Sequence, residues 1–207
     1  MIEYRGLTFE DTRAGATEAD IAQLEASLGA RLPDDYRQFL KTCNGASVDY
    51  DVVAVMANQD EEVLSFSLHG LVPGEGYESN PYELEQLRKH PGFPETGLLP
   101  IGRDGGASLL LLDLRDGRQD VVAMVAGLPA WTGRRQQGDE FVVLAESFNE
   151  YLEALHLSEE RVMDHINHFI ISPDTVEATL TWLDKDSPGW RKRHKALWNA
   201  RVVDRLI

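Results

Sequence analysis

The stretch Thr17–Gly45, TEADIAQLEASLGARLPDDYRQFLKTCNG, predicts two short helices joined at a glycine and a proline. Thr17 and Asp20 have the spacing of a weak capping box, which marks the start of the first helix. Gly29 comes where the C-terminus of a helix favours a left-handed residue. Between these signals, apolar residues recur at helical spacing: Ile21, Leu24 and Leu28.

The second helix of this stretch is predicted to begin at Pro33, a residue that suits the first helical position. Asp34 and Asp35 follow in the first turn, where the helix dipole favours negative charge. Asn44-Gly45 ends the helix. One face is apolar and is expected to be buried, with Cys43 as an unreactive buried thiol: Tyr36, Phe39, Leu40 and Cys43.

Downstream of this pair, short apolar runs alternate with turns, and the chain is predicted to be an α+β protein. We expect a mixed, twisted sheet with helices packed around it. Polar residues 58–62 separate the first two runs and predict a hairpin with an acidic tip. Further helices are predicted over 81–90 and after a capping box at Ser147 and Glu150. The predicted strands cover 50–56, 63–68, 99–101, 108–114, 121–125 and 141–144.

The last 23 residues differ in charge from the rest of the chain. They carry seven Lys and Arg against two Asp, whereas residues 1–184 carry 13 Lys and Arg against 33 Asp and Glu. We predict an α+β domain over 1–157 and a helical C-terminal extension over 158–207, which ends in this basic tail. The run from Trp190 to Lys195, with Trp198, reads as one basic amphipathic helix. It docks on the protein's own acidic body, or it stays solvated or free for a partner. A third interpretation, nucleic-acid binding, is opposed by the negative charge of the body.

The formal net charge of −15 argues against a nucleic-acid-binding body, because phosphate contacts need Lys and Arg. Acidity suits a basic partner, although it also serves solubility alone. With one cysteine, the chain has no internal disulfide. Residues 1–12 show no signal peptide, and no apolar run is long enough to span a bilayer, so we expect a cytoplasmic protein with no membrane partner.

Motifs that would indicate catalysis or metal binding are incomplete. His165 and His168 share a helix face with His156 nearby, but no Cys cluster or H-E-x-x-H motif supplies the remaining ligands of a zinc site. The glycine-rich run 102–106 lacks the Lys-Ser/Thr ending of a P-loop and reads as a tight turn. Ser147 has no nucleophile elbow around it. We expect no catalytic residue, no metal and no cofactor, while a carboxylate pair that only the fold assembles stays possible.

The remaining candidates for function are acidic runs in predicted loops and one tryptophan. Solvated surface charge is the plain interpretation of such runs, and contact with a basic partner is the functional one. Trp131 lies on a loop predicted over 127–138, and tryptophan is enriched at binding hot spots, although core packing explains it equally well. The candidate partner-binding residues are Asp60, Glu61, Glu62, Glu75, Glu78, Trp131, Asp139 and Glu140.

The helix-pair stretch also resembles the opening signature of the SUKH superfamily, I-x-x-L-E-x-x-L-G-x-x-L-P-x-x-Y-x-x-F-L followed by N-G. The segments 99–113 and 145–152 are similar to the central glycine turn with its strand and to the closing helix. After Gly106, Ala107-Ser108 stand where the family often has an acidic residue. The matching positions of the signature are Ile21, Leu24, Glu25, Leu28, Gly29, Leu32, Pro33, Tyr36, Phe39, Leu40, Asn44 and Gly45.

This resemblance implies a binding protein without catalytic chemistry. Bacterial SUKH proteins are understood as immunity proteins that bind and block a toxin, often a nuclease or a deaminase. The fungal relatives imply an alternative, a regulatory or scaffolding protein that recruits cellular partners. The residues that carry the resemblance are mostly apolar, capping or turn residues, so the partner-binding face is expected elsewhere, on the acidic loops.

Overall fold

The described part of the chain, residues 1–71, 97–127, 138–168 and 173–201 of a computed structural model, contains both sheets and helices. The α+β class is confirmed. The chain divides into two compact units. The first unit comprises residues 1–48 and 52–155, and the second comprises 49–51 and 156–207. The division into a domain over 1–157 and an extension over 158–207 stays a prediction.

Strands and helices are numbered in chain order through the described ranges. The strands are β1 (Ile2–Tyr4), β2 (Leu7–Phe9), β3 (Val52–Val55), β4 (Glu61–Leu64), β5 (Ser67–Leu68), β6 (Leu98–Arg103), β7 (Leu109–Asp113), β8 (Asp120–Val125) and β9 (Glu140–Ala145). The helices are α1 (Glu18–Leu28), α2 (Asp34–Thr42), α3 (Phe148–Ala154), α4 (Glu159–His168), α5 (Pro173–Asp186), α6 (Trp190–Arg193) and α7 (Lys195–Arg201).

The largest sheet of the first unit has five strands in the order β5-β6-β7-β8-β9. Every strand pair in the described ranges is antiparallel, which differs from the mixed sheet expected from the sequence. The six-residue connection between β7 and β8 gives the physical reason, since parallel strands need a crossover of a dozen residues or more. All five residues of β7 are buried, as expected for a strand covered on both faces.

The predicted helix pair is confirmed as α1 and α2. Thr17 and Asp20 form the full capping box, and Gly29 is left-handed with φ 66°. Pro33 is the N-cap of α2 and not its first helical residue, because its ψ of 144° is extended. The buried face of α2 meets α3 in an aromatic cluster, in which the rings of Phe39 and Phe148 lie 5.0 Å apart.

Two further strands at the N-terminus, β1 and β2, form a hairpin that the sequence reasoning missed. Arg5 and Gly6 at its turn both have positive φ, 50° and 82°, as a type I′ turn requires. Phe9 of β2 is fully buried, and its ring lies 5.5 Å from that of Phe39. The hairpin therefore contributes to the same aromatic cluster as α2.

The second unit is helical around a small apolar cluster of Val162, Ile166, Leu183 and Trp190. The basic tail is two short helices, α6 and α7, where the sequence predicted one. The break is at His194, whose φ of −110° and ψ of 20° end α6.

Candidate protein-binding surface

The β3–β4 hairpin carries three of the candidate carboxylates. Its turn is closed by the Met56 amide, which donates to the Asp60 carbonyl, and by the Asn58 side chain, which bonds to Asp60. Glu61 and Glu62 are not loop residues as predicted, because strand pairing with β3 extends to Glu61. All three carboxylates are exposed.

Two more candidates, Asp139 and Glu140, lie where β9 begins. Glu140 is a strand residue and not a loop residue, since it pairs with Val125 of β8. A carboxylate oxygen of Glu140 accepts a hydrogen bond from the Ala57 amide in the hairpin turn. Asp139 accepts one from the Gly127 amide at 3.0 Å.

The Glu140 contact joins two segments that are 83 residues apart in the chain. It places the acidic tip of the hairpin beside the start of β9, and β3 itself lies next to β9. The segments 51–64 and 138–150 contain no Lys, Arg or His. The exposed carboxylates of Asp60, Glu61, Glu62 and Asp139 therefore make this part of the first unit negative, and neither segment adds a positive charge. The candidates Glu75, Glu78 and Trp131 lie outside the described residues.

The structure adds apolar residues to this surface that the sequence reasoning did not single out. β3 buries Val52 and Ala54 and exposes Val53 and Val55. β9 buries Val142 and exposes its neighbours in the same way. The exposed fractions are 40% for Val53, 53% for Val55, 62% for Val63, 46% for Phe141 and 59% for Val143. A strand with one buried face is usually recognised in a sequence by alternating apolar and polar residues. All four residues of β3 are apolar, so the sequence does not show which of them face solvent.

The histidine pair on α4 does not form a site. His165 is buried against the Trp182 ring, with Nε2 3.4 Å from an Asp49 carboxylate oxygen. His168 is exposed and lies 3.9 Å from Asp164. Within the described ranges, no three His, Cys, Asp or Glu side chains are grouped so that they could hold a metal ion.

The other singled-out motifs have structural roles. Asp104 accepts hydrogen bonds from the Gly106 and Ser108 amides, which makes the glycine-rich run the tight turn predicted before β7. Ser147 caps α3 by accepting from the Glu150 amide. Cys43 is fully buried, and this burial raises the pKa of its thiol to about 11, so a reactive thiolate is disfavoured.

Three basic side chains of the tail are paired with acids of the second unit itself. Arg191 bonds to Asp184 at 2.8 Å, and Arg193 bonds to Glu159 at 2.7 Å. His194 also contacts Glu159. These contacts lower the pKa of both carboxyl groups, chiefly through hydrogen bonds from the two arginines.

The helix pair, the five-stranded sheet and α3 all lie within the segment that a protein-family model matches. A family model described as the SMI1 / KNR4 family (SUKH-1) matches residues 15–154, more than half of the chain. The chain belongs to this family. No curated protein matches its sequence. The SUKH match ends one residue before the first unit does, and it contains both segments of the acidic surface.

Among the described residues, no helix combines the length and the apolar character needed to cross a bilayer.

Proposed function

We propose that this SUKH protein is a non-enzymatic binding domain, and more specifically an immunity protein that neutralises a cognate bacterial toxin of nuclease or deaminase type. The observation that carries the proposal is the acidic surface formed by the hairpin tip and the start of β9. Family membership supports a binding role, and the surface supports a basic partner.

The mechanism follows from charge and bulk. A toxin that acts on nucleic acid presents a basic cleft for phosphates. Asp60, Glu61 and Glu62 attract that cleft over a distance of about 8–10 Å at physiological salt, which accelerates encounter. Once docked, the protein covers the cleft and excludes the substrate. No bond is made or broken, so the proposal needs no cofactor.

Co-expression tests this proposal. The toxin domain encoded beside this gene is expressed in a sensitive host with and without the full-length protein, and survival is counted. We expect the wild type to restore growth. The proposal is overturned if no neighbouring gene encodes a toxin, or if the domain encoded there neither binds nor is neutralised. A regulatory or scaffolding role would then be favoured.

Charge-neutral variants test the role of the acidic surface. The triple variant Asp60→Asn/Glu61→Gln/Glu62→Gln removes three charges and retains side-chain size. We expect its association rate with the toxin domain to fall about tenfold at low salt, and the difference to shrink as salt rises. The matched control removes three exposed carboxylates elsewhere in the first unit, Glu10→Gln/Asp11→Asn/Asp116→Asn. Equal effects of the two variants would contradict a localised surface.

A further inference from the structure

The apolar residues exposed on β3, β4 and β9 lie on the same strands as Glu61, Glu62 and Glu140 but were not among the predicted binding residues. We name Val53, Val55, Val63, Phe141 and Val143 the outer strip. We propose that the outer strip is the central contact of the interface and takes a basic protein surface that inserts aliphatic or aromatic side chains. This inference rests on the proposed function and specifies the face that performs it.

Strand register shows which residues share the face of the strip. Val53 lies opposite Val63, and Val55 lies opposite Glu61. Residues directly opposite each other in an antiparallel pair project from the same face, as do residues two apart along a strand. Glu61 is therefore on the face of the strip. Glu62 lies opposite Ala54, which is buried, and projects from the other face.

The edge of the five-stranded sheet extends this surface. β3 lies beside β9, and the Glu140 carboxylate holds the hairpin turn against the start of β9. Phe141 and Val143 pair with Met124 and Val122 of β8, so they project from the sheet face that carries those two side chains. Solvent-exposed apolar side chains grouped with a charged border are typical of protein-binding sites.

The carboxylates beside the outer strip determine which kind of partner can bind there. A second copy of this chain would bring its own Glu61 and Asp60 against the same carboxylates, and like charges oppose that contact. A partner with Lys and Arg around an apolar centre satisfies both parts of the surface. Buried apolar contacts at the centre of an interface set most of the affinity, while charges at the rim set the association rate.

Kinetic measurements with the toxin domain separate the two parts. The variants Val55→Thr/Val63→Thr and Phe141→Thr/Val143→Thr remove apolar surface and retain β-compatible side chains. We expect each to weaken binding by about tenfold or more, mainly through faster dissociation. Met163→Gln, at a 39% exposed methionine of α4, is the apolar control and should bind as the wild type does.

Glu61 and Glu62 provide a comparison between the two faces of the hairpin. They are adjacent, both exposed and equally charged. We expect Glu61→Gln to slow association more than Glu62→Gln does. The inference is overturned if the threonine variants, with unchanged melting temperatures, bind like the wild type, or if Glu62→Gln has the larger effect.

A probe that needs no toxin separates failure of this inference from failure of the proposed function. A random 12-residue peptide library displayed on phage is selected on the full-length protein. We expect recovered peptides to combine Lys or Arg with large apolar residues and to lose binding on Phe141→Thr/Val143→Thr. Peptides without that composition, or insensitive to the variant, overturn the inference. Concentration-dependent dimers in sedimentation that the same variant abolishes would assign the strip to a second copy and overturn it too.

Discussion

The two units of this protein differ in what holds them together. In the first unit, a five-stranded sheet and an aromatic cluster bury long runs of apolar side chains, such as the four leucines 109–112 of β7. In the described part of the second unit, a cluster of four buried apolar residues is supplemented by hydrogen bonds between charged groups, such as those of Asp51 and Asp184. Small units bury a smaller fraction of their surface and depend more on other interactions. We therefore expect the stability of the second unit to depend more on single polar contacts than that of the first.

Asp51 and Tyr50 show how these contacts connect the second unit. Asp51 is 5% exposed and accepts hydrogen bonds from Arg161, at 2.8 Å, and from Ser158. The Tyr50 hydroxyl donates to Asp186 at 2.8 Å and accepts from the Trp182 indole at 3.2 Å. The short segment 49–51 thus supplies polar partners to α4, α5 and the residue before α4.

The largest effect is expected from Trp190→Ala. The Trp190 side chain is fully buried, and its indole N–H donates to Asp184 at 2.8 Å. Truncation should cost about 3–5 kcal/mol in the second unit. Hydrogen exchange read by mass spectrometry should rise in α4 and α5 and stay low in β7 and β8. Equal loss of protection in both units would contradict the proposed difference between them. As a control, Trp190→Phe should lose less stability than Trp190→Ala.

The second-largest effect is expected from acid, which should lower the stability of the first unit through His69. Burial, with Arg103 and Arg13 nearby, lowers the pKa of His69 to about 4. The unfolded chain therefore takes up this proton first as pH falls below about 6.5, so the contribution to stability is complete above 6.5 and declines towards pH 4. The loss between pH 7 and pH 4 is about 3 kcal/mol.

Urea unfolding of the wild type and of His69→Gln at pH 7, 5.5 and 4 checks this. The variant should lack the His69 part of the acid response. Asp49 in the second unit provides the contrast, because a hydrogen bond from His165 lowers the pKa of Asp49. Its contribution is present above about pH 4 and is lost only as pH falls further. Identical acid curves for the wild type and His69→Gln would refute the assignment.

A smaller effect is expected from Asp51→Asn. Removing the charge leaves Arg161 without its 2.8 Å carboxylate partner, and Arg161 is 27% exposed. We expect a loss of about 2 kcal/mol, below the usual range for a fully buried pair because water reaches the guanidinium. A double-mutant cycle with Arg161→Met measures the pair directly. Additive effects of the two substitutions would show that the contact contributes nothing to the second unit.

The smallest effect is expected from Thr17→Ala in the first unit. Thr17 caps α1 by accepting from the Asp20 amide at 3.2 Å. Loss of an N-cap hydroxyl costs about 1 kcal/mol. Thermal unfolding should show Thr17→Ser retaining nearly all of the wild-type stability. A loss equal to that of Asp51→Asn would mean that local polar contacts matter as much in the first unit as in the second.

The residues 17–45 show how far local sequence signals reach. Capping residues, a left-handed glycine and helical spacing act within one or two turns, so α1 and α2 were predictable, with α2 beginning one residue later than expected. The N-terminal hairpin was missed because its strands have only three residues each and the Arg5-Gly6 turn is not among the strongest hairpin signals. The tail was misjudged because apolar spacing continues across His194 while the helix does not.

Local sequence was enough to predict the α+β class, the family, the buried faces of α1 and α2, and the acidic character of the candidate surface. These depend on local pattern and composition. Only the tertiary structure decided that Glu140 meets the hairpin turn 83 residues away, and that Glu61 and Glu62 project from opposite faces. Register and long-range pairing arise when distant strands pack together, and no window of local sequence contains that information.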